Sequence, residues 1–430
     1  MSNEQGYLDN SKLVYGVDDN PSISKKIIFG IQHIFAAFGG IIVVPLVIAS
    51  ALGLDVKTTT ALISATILAS GLATIIQARG VGKIGSRVAC IMGTDFTFVS
   101  PSISVGTVLG LPGIIGATIL GAFLEIILSF FIKPLMKLFP PLVTGTVVCL
   151  IGLTLLPVAI DWAAGGSGAV NYGDLKNISI AGIVLIITLI LNIYGKGMIS
   201  SASILIGMII GYIICIPLGM VDFTSIKEAS WVSIPRIFEY GVIFDLKAVG
   251  ESSNIRMKEE QVGEGVLADG IGSIIGGVLG SFPNTSFSQN VGVISLTKVA
   301  SRHVAVMAGF ILVILGFLPK ISALITEIPQ PVLGGVGIVM FGTVAASCIK
   351  TLSKIELNDT NLLIIATSIG LGLGVTFRPE FIGQLPEGLK MVFSSGISIG
   401  TITALVLNLL FGRKNIKKYE VNEDSNIIVA

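Results

Sequence analysis

Apolar runs of roughly twenty residues recur along this chain and constrain its fold more than any other feature. The first runs from about Ile27 to Leu52 and the last from about Met391 to Phe411. A helix needs ~20 apolar residues to cross the hydrocarbon core of a bilayer. Hydrophobic residues make up 52% of the 430 positions and charged residues 12%, which excludes an ordinary soluble domain. We therefore predict an all-α polytopic membrane protein.

Two polar stretches interrupt the apolar runs, at Gly93–Ser100 (GTDFTFVS) and at Asn284–Lys298 (NTSFSQNVGVISLTK). Backbone that leaves helical pairing, and amides such as those of Gln289 and Asn290, each cost several kcal/mol in hydrocarbon. Such groups therefore persist where they face a cavity or a ligand. Two short broken segments of this kind are typical of secondary transporters, in which they meet at the substrate site.

The polar stretches belong to a longer internal repeat with an offset of about 190 residues. Gly93–Phe96 matches Asn284–Phe287, and Pro141–Gly145 matches Pro331–Gly335. The first copy contains seven predicted segments. Because two copies of an odd number of spans insert in opposite orientations, the sequence predicts a seven-plus-seven inverted repeat with two broken segments.

The predicted organisation has five parts. Residues 1–26 form an N-terminal tail, 27–219 the first repeat, 220–264 a loop, 265–411 the second repeat and 412–430 a C-terminal tail.

The second copy lacks the partner of the first span. Val221–Glu264 contains no apolar run near the ~20 residues that a spanning helix needs. Its most apolar fragment, Tyr240–Val249, is about half that length and carries Asp245 and Lys247. The chain is patterned for fourteen segments and supplies thirteen.

The positions of basic residues also disagree with a count of thirteen segments, because Lys and Arg favour the cytoplasmic side of a membrane. Lys25 and Lys26 predict a cytoplasmic N-terminus. With fourteen segments the basic residues of the second half and the C-terminal tail also fall inside, whereas with thirteen they fall outside. Three explanations stay open: Tyr240–Val249 re-enters without crossing, the second half inserts against its charge bias, or a stretch has been deleted.

Four motifs carry a specific resemblance to a known family. They are QH at Gln32–His33, GTDFTF at Gly93–Phe98, LADG at Leu267–Gly270, and QNxGxxxxTK, formed by Gln289, Asn290, Gly292, Thr297 and Lys298. On these motifs the chain resembles the nucleobase–ascorbate transporter family, in particular its bacterial xanthine and uric acid permease branch. A signature of this length inside a predicted broken segment is a strong signal.

The resemblance implies a core domain and a gate domain, a homodimer, and transport of purines or pyrimidines together with protons. It assigns the base to the amide of Gln289 and to the ring of Phe96, which stacks on it. Backbone near Phe287 and Ser288 is expected to add hydrogen bonds, and Asp95 is expected to lie at the substrate. A planar base does need an apolar face and an amide that both donates and accepts hydrogen bonds.

Other residues are expected to brace this site or to couple it to protons. By the resemblance, Asn290 pairs with His33, and Asp269 matches a carboxylate that the family needs for function. The remaining members of the bracing set are Gln32, Gly292 and Thr297.

The chain departs from the family pattern at the eighth span, where the family has a glutamate that binds the base and is a candidate for proton coupling. Here FDLKAV runs directly into GESSN at Gly250–Asn254, and Glu251 belongs to the flanking loop. We hypothesise that a deletion of about twenty residues removes the glutamate and impairs transport. The possible proton carriers that remain are Asp95, Asp269 and Glu125, since a buried carboxylate can change protonation during a transport cycle. Asp95 has an alternative role as a cap of the helix that follows it.

The leading functional prediction is a secondary active transporter in a bacterial cell membrane that takes up a purine of the xanthine or uric acid type by proton symport. A uracil-type permease is less favoured, because Gln289 replaces an acidic residue often found at that position in uracil transporters. A third reading is a transport-inactive relative that persists as a dimer subunit.

An enzyme is the weakest reading of this sequence. Its two histidines, without clustered metal ligands or a nucleophile with its base, leave an enzyme without chemistry. No metal and no cofactor are expected, since the proton gradient supplies the driving force. The expected partners are a nucleobase, protons, the lipid bilayer and a second copy of the chain, with no nucleic acid.

Overall fold

The computed structural model describes residues 13–131, 138–244, 259–287, 293–294, 297–386, 389–390 and 393–412. Two strands of two residues, β1 (Met92–Gly93) and β2 (Thr285–Ser286), accompany the helices. The helices are α1 (Ile23–Ala51), α2 (Val56–Arg79), α3 (Val99–Ser129), α4 (Pro141–Ala163), α5 (Leu175–Tyr194), α6 (Met198–Ser201), α7 (Ser203–Cys215), α8 (Thr224–Glu228), α9 (Glu259–Val278), α10 (Arg302–Gly316), α11 (Pro319–Thr326), α12 (Gln330–Leu352), α13 (Asp359–Phe377) and α14 (Gly396–Phe411).

Seven helical stretches in the described part are long and apolar enough to cross a membrane. They are α1, α2, Phe96–Ser129, α4, α5, α12 and α13. An eighth is formed if α10 and α11, which are bent by 81°, count as one span. The helices α7 and α14 are apolar but shorter. The prediction of an all-α polytopic membrane protein is confirmed.

The described helices pack as two groups. A core group contains α1, α2, α3, α9, α10 and α11, and a gate group contains α4, α5, α7, α12, α13 and α14. Within the core group α2 packs on α10 and α3 packs on α9, while α4 on α12 is the central pair of the gate group.

These pairings confirm the inverted repeat. In chain order α2, β1, α3, α4, α5 and α7 of the first half correspond to α9, β2, α10, α12, α13 and α14 of the second. Contact of α2 with α10 is therefore the counterpart of contact between α9 and α3, as a twofold relation between the halves requires.

Small residues let these helix pairs approach closely. A Cβ added to Gly71 on α2 would lie 2.6 Å from the backbone nitrogen of Val313 on α10. In the counterpart pair, a Cβ on Gly270 of α9 would lie 2.7 Å from a side-chain carbon of Ile126 on α3. Helix association in lipid depends on such close packing, since lipid is as apolar as the helices themselves.

Helix α3 is two helices joined at a kink. Gly110, with φ 66° and ψ −167°, lies outside the helical region and separates the two parts. A positive φ of this kind is readily adopted only by glycine. The part before Gly110 continues the first broken segment, and the part after it forms a separate apolar helix.

The N-terminal segment marks one end of the bundle, which we call the proximal end. The Val14 N–H donates to the Lys298 carbonyl at 2.8 Å, and Arg302 at the start of α10 forms an ion pair with Asp18 at 2.8 Å. The N-terminus and the basic residues before α10 thus share one end. With a cytoplasmic N-terminus, this common end does not fit insertion of the second half against its charge bias, which would place the two segments at opposite ends.

The segment Val221–Phe244 lies at the other, distal end and contains no spanning helix. Ser233 donates from its N–H to the Phe317 carbonyl just after α10, and Phe238 donates to the Val278 carbonyl at the end of α9. Tyr240 packs against Gly280, and burial raises the pKa of its phenol. This segment is a strap across the distal ends of core-group helices.

Residues 245–258, which include part of Tyr240–Val249, lie outside the described residues. The described chain on either side ends at the distal strap and resumes with α9, whose Glu264 is paired with Arg87 near the proximal end.

Candidate functional site

The two broken segments meet in the core group through β1 and β2. The strands are antiparallel, with Met92 opposite Ser286 and Gly93 opposite Thr285. Beyond β2, the Phe287 N–H donates to the Ile91 carbonyl at 2.9 Å. Backbone groups freed from helical pairing are thereby satisfied between the two halves. The prediction that the two polar stretches lie together is confirmed.

A hydroxyl on the preceding helix holds each strand in place. Thr74 of α2 accepts from the Met92 N–H at 2.9 Å, and Ser273 of α9 accepts from the Asn284 N–H at 2.9 Å. The Ser273 hydroxyl also donates to the Asn284 carbonyl at 3.1 Å. Met92 is therefore the structural counterpart of Asn284, one residue earlier than the sequence match of Gly93 with Asn284.

Asp269 is a carboxylate buried beside β2. It is 3% exposed and accepts hydrogen bonds from the hydroxyls of Thr285 at 3.1 Å and Ser286 at 3.2 Å. A buried carboxylate without such partners would be strongly unfavourable. Glu125 on α3 interacts electrostatically with Asp269, so two of the predicted proton carriers lie in one neighbourhood.

Asp95 begins the short 3₁₀ helix Phe96–Phe98. Its side chain accepts from the Thr97 N–H at 3.1 Å, which satisfies one of the donors left free at a helix start. The capping role considered for Asp95 is present. Its assignment to substrate or proton binding stays a prediction.

Phe96 and Phe287 are both buried aromatic rings. The Phe96 ring is 2% exposed and meets the ring of Phe341 edge-on, with centroids 5.2 Å apart and planes at 84°. Since Phe341 belongs to α12, this contact joins the core group to the gate group. Phe287 fills the space beside Gly40 of α1 and Gly93 of β1, where an added Cβ would lie 2.5 Å from its ring.

The structure also describes three residues of the predicted bracing set, Gln32, His33 and Thr297. His33 on α1 is buried, and the side-chain oxygen of its neighbour Gln32 is buried with no partner among the described residues. Thr297 donates from its hydroxyl to the Val293 carbonyl at 2.8 Å.

Four predicted site residues lie outside the described residues: Ser288, Gln289, Asn290 and Gly292. The pairings of Gln289 with Phe96 and of Asn290 with His33 therefore stay predictions.

Sequence reasoning missed three polar side chains of helices, Thr74, Gln77 and Ser273. Gln77 is fully buried and donates to the Ser286 hydroxyl at 3.2 Å. The available signal was a polar amide within an apolar run, which calls for a partner in a membrane protein.

Comparison with known proteins supplies a family and close relatives. A family model described as a permease family matches residues 24–247 and 243–381. A Clostridium perfringens protein that carries the provisional name of purine permease is 70% identical, over 92% of this chain and 92% of the relative. The Bacillus subtilis xanthine permease is 40% identical over 90% of this chain and 94% of the relative, and the Escherichia coli uric acid transporter 39% identical over 92% and 88%.

These alignments contain more positions than this chain fills. The alignment with the Clostridium relative runs over 417 positions but takes up 92% of the 430 residues, about 396, so about 20 positions have no residue here. The family model also matches in two pieces, which meet at residues 243–247. The shortfall equals about one spanning helix, ~20 residues.

Solved structures of low sequence identity share the fold. The murine anion transporter Slc26a9 has a TM-score of 0.60 at 10% identity, covering 93% of this chain and 70% of that one. The transmembrane domain of a cyanobacterial bicarbonate transporter, BicA, has a TM-score of 0.54 at 10% identity, covering 90% and 98%.

Proposed function

Since this chain belongs to the nucleobase–ascorbate transporter family of permeases, we propose that it takes up a purine base of the xanthine or uric acid type by proton symport. The observation that carries the proposal is identity of 39–70% to relatives named for purine, xanthine and uric acid transport. Together with the junction of β1 and β2, it favours a small planar base as the substrate.

The base is proposed to bind where the two broken segments meet. Phe96 offers an aromatic face, and its contact with Phe341 lies where the core and gate groups meet. Opening of that contact would expose a stacking surface to a purine, since aromatic faces pair favourably at 4.5–7 Å between centroids. Gln289 is proposed to read the edge of the base through its amide.

Asp269 is proposed as the proton carrier of this site. It is buried, its described partners are hydroxyls rather than cations, and β2 links it directly to the broken segment. Protonation of Asp269 would change the acceptor to which the hydroxyls of Thr285 and Ser286 donate their hydrogen bonds. Asp95 and Glu125 are the alternative carriers.

The same proposal places the protein in the bacterial cell membrane, as a homodimer with its N-terminus in the cytoplasm. Because the proximal end carries Lys25, Lys26 and Arg302, the charge rule favours that end as the cytoplasmic one. A tag on the C-terminus is expected to be inaccessible from outside intact cells, since the tail carries Arg413, Lys414, Lys417 and Lys418.

The test is uptake of radiolabelled xanthine and urate by this chain in a host without its own purine permeases. We expect saturable uptake that excess unlabelled purine competes for, that excess uracil leaves intact, and that a protonophore abolishes. Competition by uracil alone would favour the uracil-type alternative. Uptake that survives the protonophore would contradict proton symport.

A transport-inactive relative or dimer subunit is a second candidate, favoured by the gap of about 20 alignment positions. Restoring a family-like insert between Val249 and Gly250 tests it. Uptake that appears only with the insert supports loss of function through the deletion. Equal uptake with and without the insert contradicts it.

A further inference from the structure

Gln77 uses both ends of its side-chain amide inside the core group. It lies near the end of α2 and is fully buried. Its carbonyl oxygen accepts from the backbone N–H of Ser86 at 3.3 Å, and its amide nitrogen donates to the Ser286 hydroxyl at 3.2 Å. A buried amide held at both ends has one orientation only, because a backbone N–H can donate but cannot accept.

That orientation fixes the direction of a longer hydrogen-bond chain. Since Gln77 donates to the Ser286 oxygen, the Ser286 proton is free to point to Asp269, whose oxygen lies at 3.2 Å. The sulfur of Met92 is also 3.2 Å from that hydroxyl, but a thioether is a weak acceptor beside a carboxylate. Every hydrogen bond in this series therefore has its donor on the Ser86 side and its acceptor on the Asp269 side.

The loop at residues 80–87, where this series of hydrogen bonds begins, is itself attached to α9, the helix that carries Asp269. The Gly85 N–H donates to the Glu264 carbonyl at 2.9 Å, and Arg87 forms an ion pair with Glu264 at 3.2 Å. The Arg87 N–H donates to the backbone carbonyl of Gln77 at 3.0 Å. Residues 80–87, α2 and α9 are thus joined around the amide.

We propose that Gln77 is a positioning residue that orients the Ser286 hydroxyl toward Asp269 and so stabilises the ionised carboxylate. The inference rests on the proposed function only where it concerns proton coupling. The hydrogen bond from Ser286 is stronger to an ionised Asp269 than to a protonated one, because a charged acceptor strengthens it. The orientation that Gln77 imposes on Ser286 therefore favours the ionised form.

Other titratable groups act on Asp269 from neighbouring elements of the described part. They are Glu125 on α3 and Cys90 just before β1, while Glu264 on α9 is neutralised by Arg87. None of these groups bonds to Gln77. A pH-dependent effect of changing Gln77 therefore separates its role from theirs.

The test compares Gln77→Met, which keeps the volume and removes the hydrogen bonds, with Ser64→Ala. Ser64 lies on the same helix and donates to the Ser322 hydroxyl at 2.8 Å in a buried pair away from the site. Melting temperatures of the purified protein are measured at pH 5 and pH 8. We expect Gln77→Met to lower the melting temperature more at pH 8, by about 2 °C beyond its effect at pH 5, while the loss from Ser64→Ala is equal at both.

Measuring Gln77→Met in the Asp269→Asn protein completes a double-mutant cycle. There the pH-dependent part of the Gln77→Met loss is expected to vanish, because the ionised group is gone. An equal loss at both pH values, or an unchanged pH-dependent loss in the Asp269→Asn protein, would overturn the proposal and leave Gln77 with a structural role. Melting does not require transport, so an inactive wild-type chain would refute the proposed function without affecting this result.

Discussion

The two halves of the core group share a backbone plan but differ in chemistry. In the first half Thr74 of α2 holds Met92, and in the second half Ser273 of α9 holds Asn284. One turn earlier on each helix, the first half has Ser70 and the second half has Asp269. The repeat thus conserves the hydroxyl that shapes each broken segment and places a buried carboxylate in only one of them.

The broken segments differ in the same way. In the register defined by the hydroxyls, Asp95 of the first segment corresponds to Phe287 of the second. Asp95 caps a short helix, while Phe287 fills the gap beside Gly40 and Gly93. A twofold scaffold therefore produces an asymmetric site, in which one half supplies the cap and the other supplies the acid.

The largest effect is expected from Asp269→Asn, which removes the asymmetry in charge. Purine uptake should fall by at least about twentyfold, because proton coupling at this site needs an ionisable group. Initial rates of xanthine uptake at matched surface expression measure it. Glu264→Gln, which removes a half-exposed carboxylate on the same helix, serves as the control and should retain most of the uptake. Near-normal uptake by Asp269→Asn would move the coupling role to Asp95 or Glu125.

The next effect concerns helix packing in the two halves. Gly71→Ala is expected to destabilise the protein by about 1–3 kcal/mol, since the new Cβ meets backbone atoms of α10 that cannot move aside. Gly270→Ala should cost less, because its Cβ first meets a side-chain carbon of Ile126 at 2.7 Å, and the nearest backbone atom, the Ala122 carbonyl oxygen, lies 3.1 Å away. Gly182→Ala on α5, with nothing within 4 Å, is the control. Thermal unfolding in detergent ranks the three variants by their loss of stability. A larger loss for Gly270→Ala than for Gly71→Ala would contradict the prediction.

A comparable loss of stability, equal in the two halves, is expected on removing the two hydroxyls. Thr74→Val and Ser273→Ala each leave a buried backbone N–H without its acceptor, at a cost of about 1–3 kcal/mol. Because the two hydroxyls occupy equivalent positions, their losses in the free energy of unfolding, measured by thermal unfolding, should agree within about 1 kcal/mol. A loss confined to one variant would show that the two halves share a backbone arrangement but that only one of the two hydroxyls stabilises it.

The smallest effect is expected from Asp95→Asn. Asparagine caps a helix about as well as aspartate, so stability should change by less than about 0.5 kcal/mol. Asp95→Ala should cost about 0.5–2 kcal/mol through loss of the cap. The pH dependence of uptake should stay the same in Asp95→Asn. If it disappears while substrate binding persists, Asp95 is the proton carrier and the contrast between the halves is reversed.

Much of the architecture was readable from the pattern of residues. Apolar runs predicted most of the spanning helices, and the polar stretches predicted two segments that meet, because unpaired backbone must be satisfied somewhere in a bilayer. The repeat was visible too, although its register was one residue off. Short matches such as Gly93–Phe96 with Asn284–Phe287 contain too few residues to define a register.

Other features depended on contacts between residues far apart in the chain. The length and polarity of the apolar runs, and the inverted order of the repeat, follow from local composition, since burial in lipid acts on each segment separately. The partners of Gln77, the hydrogen bonds of Asp269 and the common end of the N-terminus and α10 follow from how the helices pack. A polar group in α2 has no defined partner until β2 lies against it. The two polar stretches were thus evident as a site in the sequence, while the direction of the hydrogen bonds that reach its buried carboxylate was set only by the folded core group.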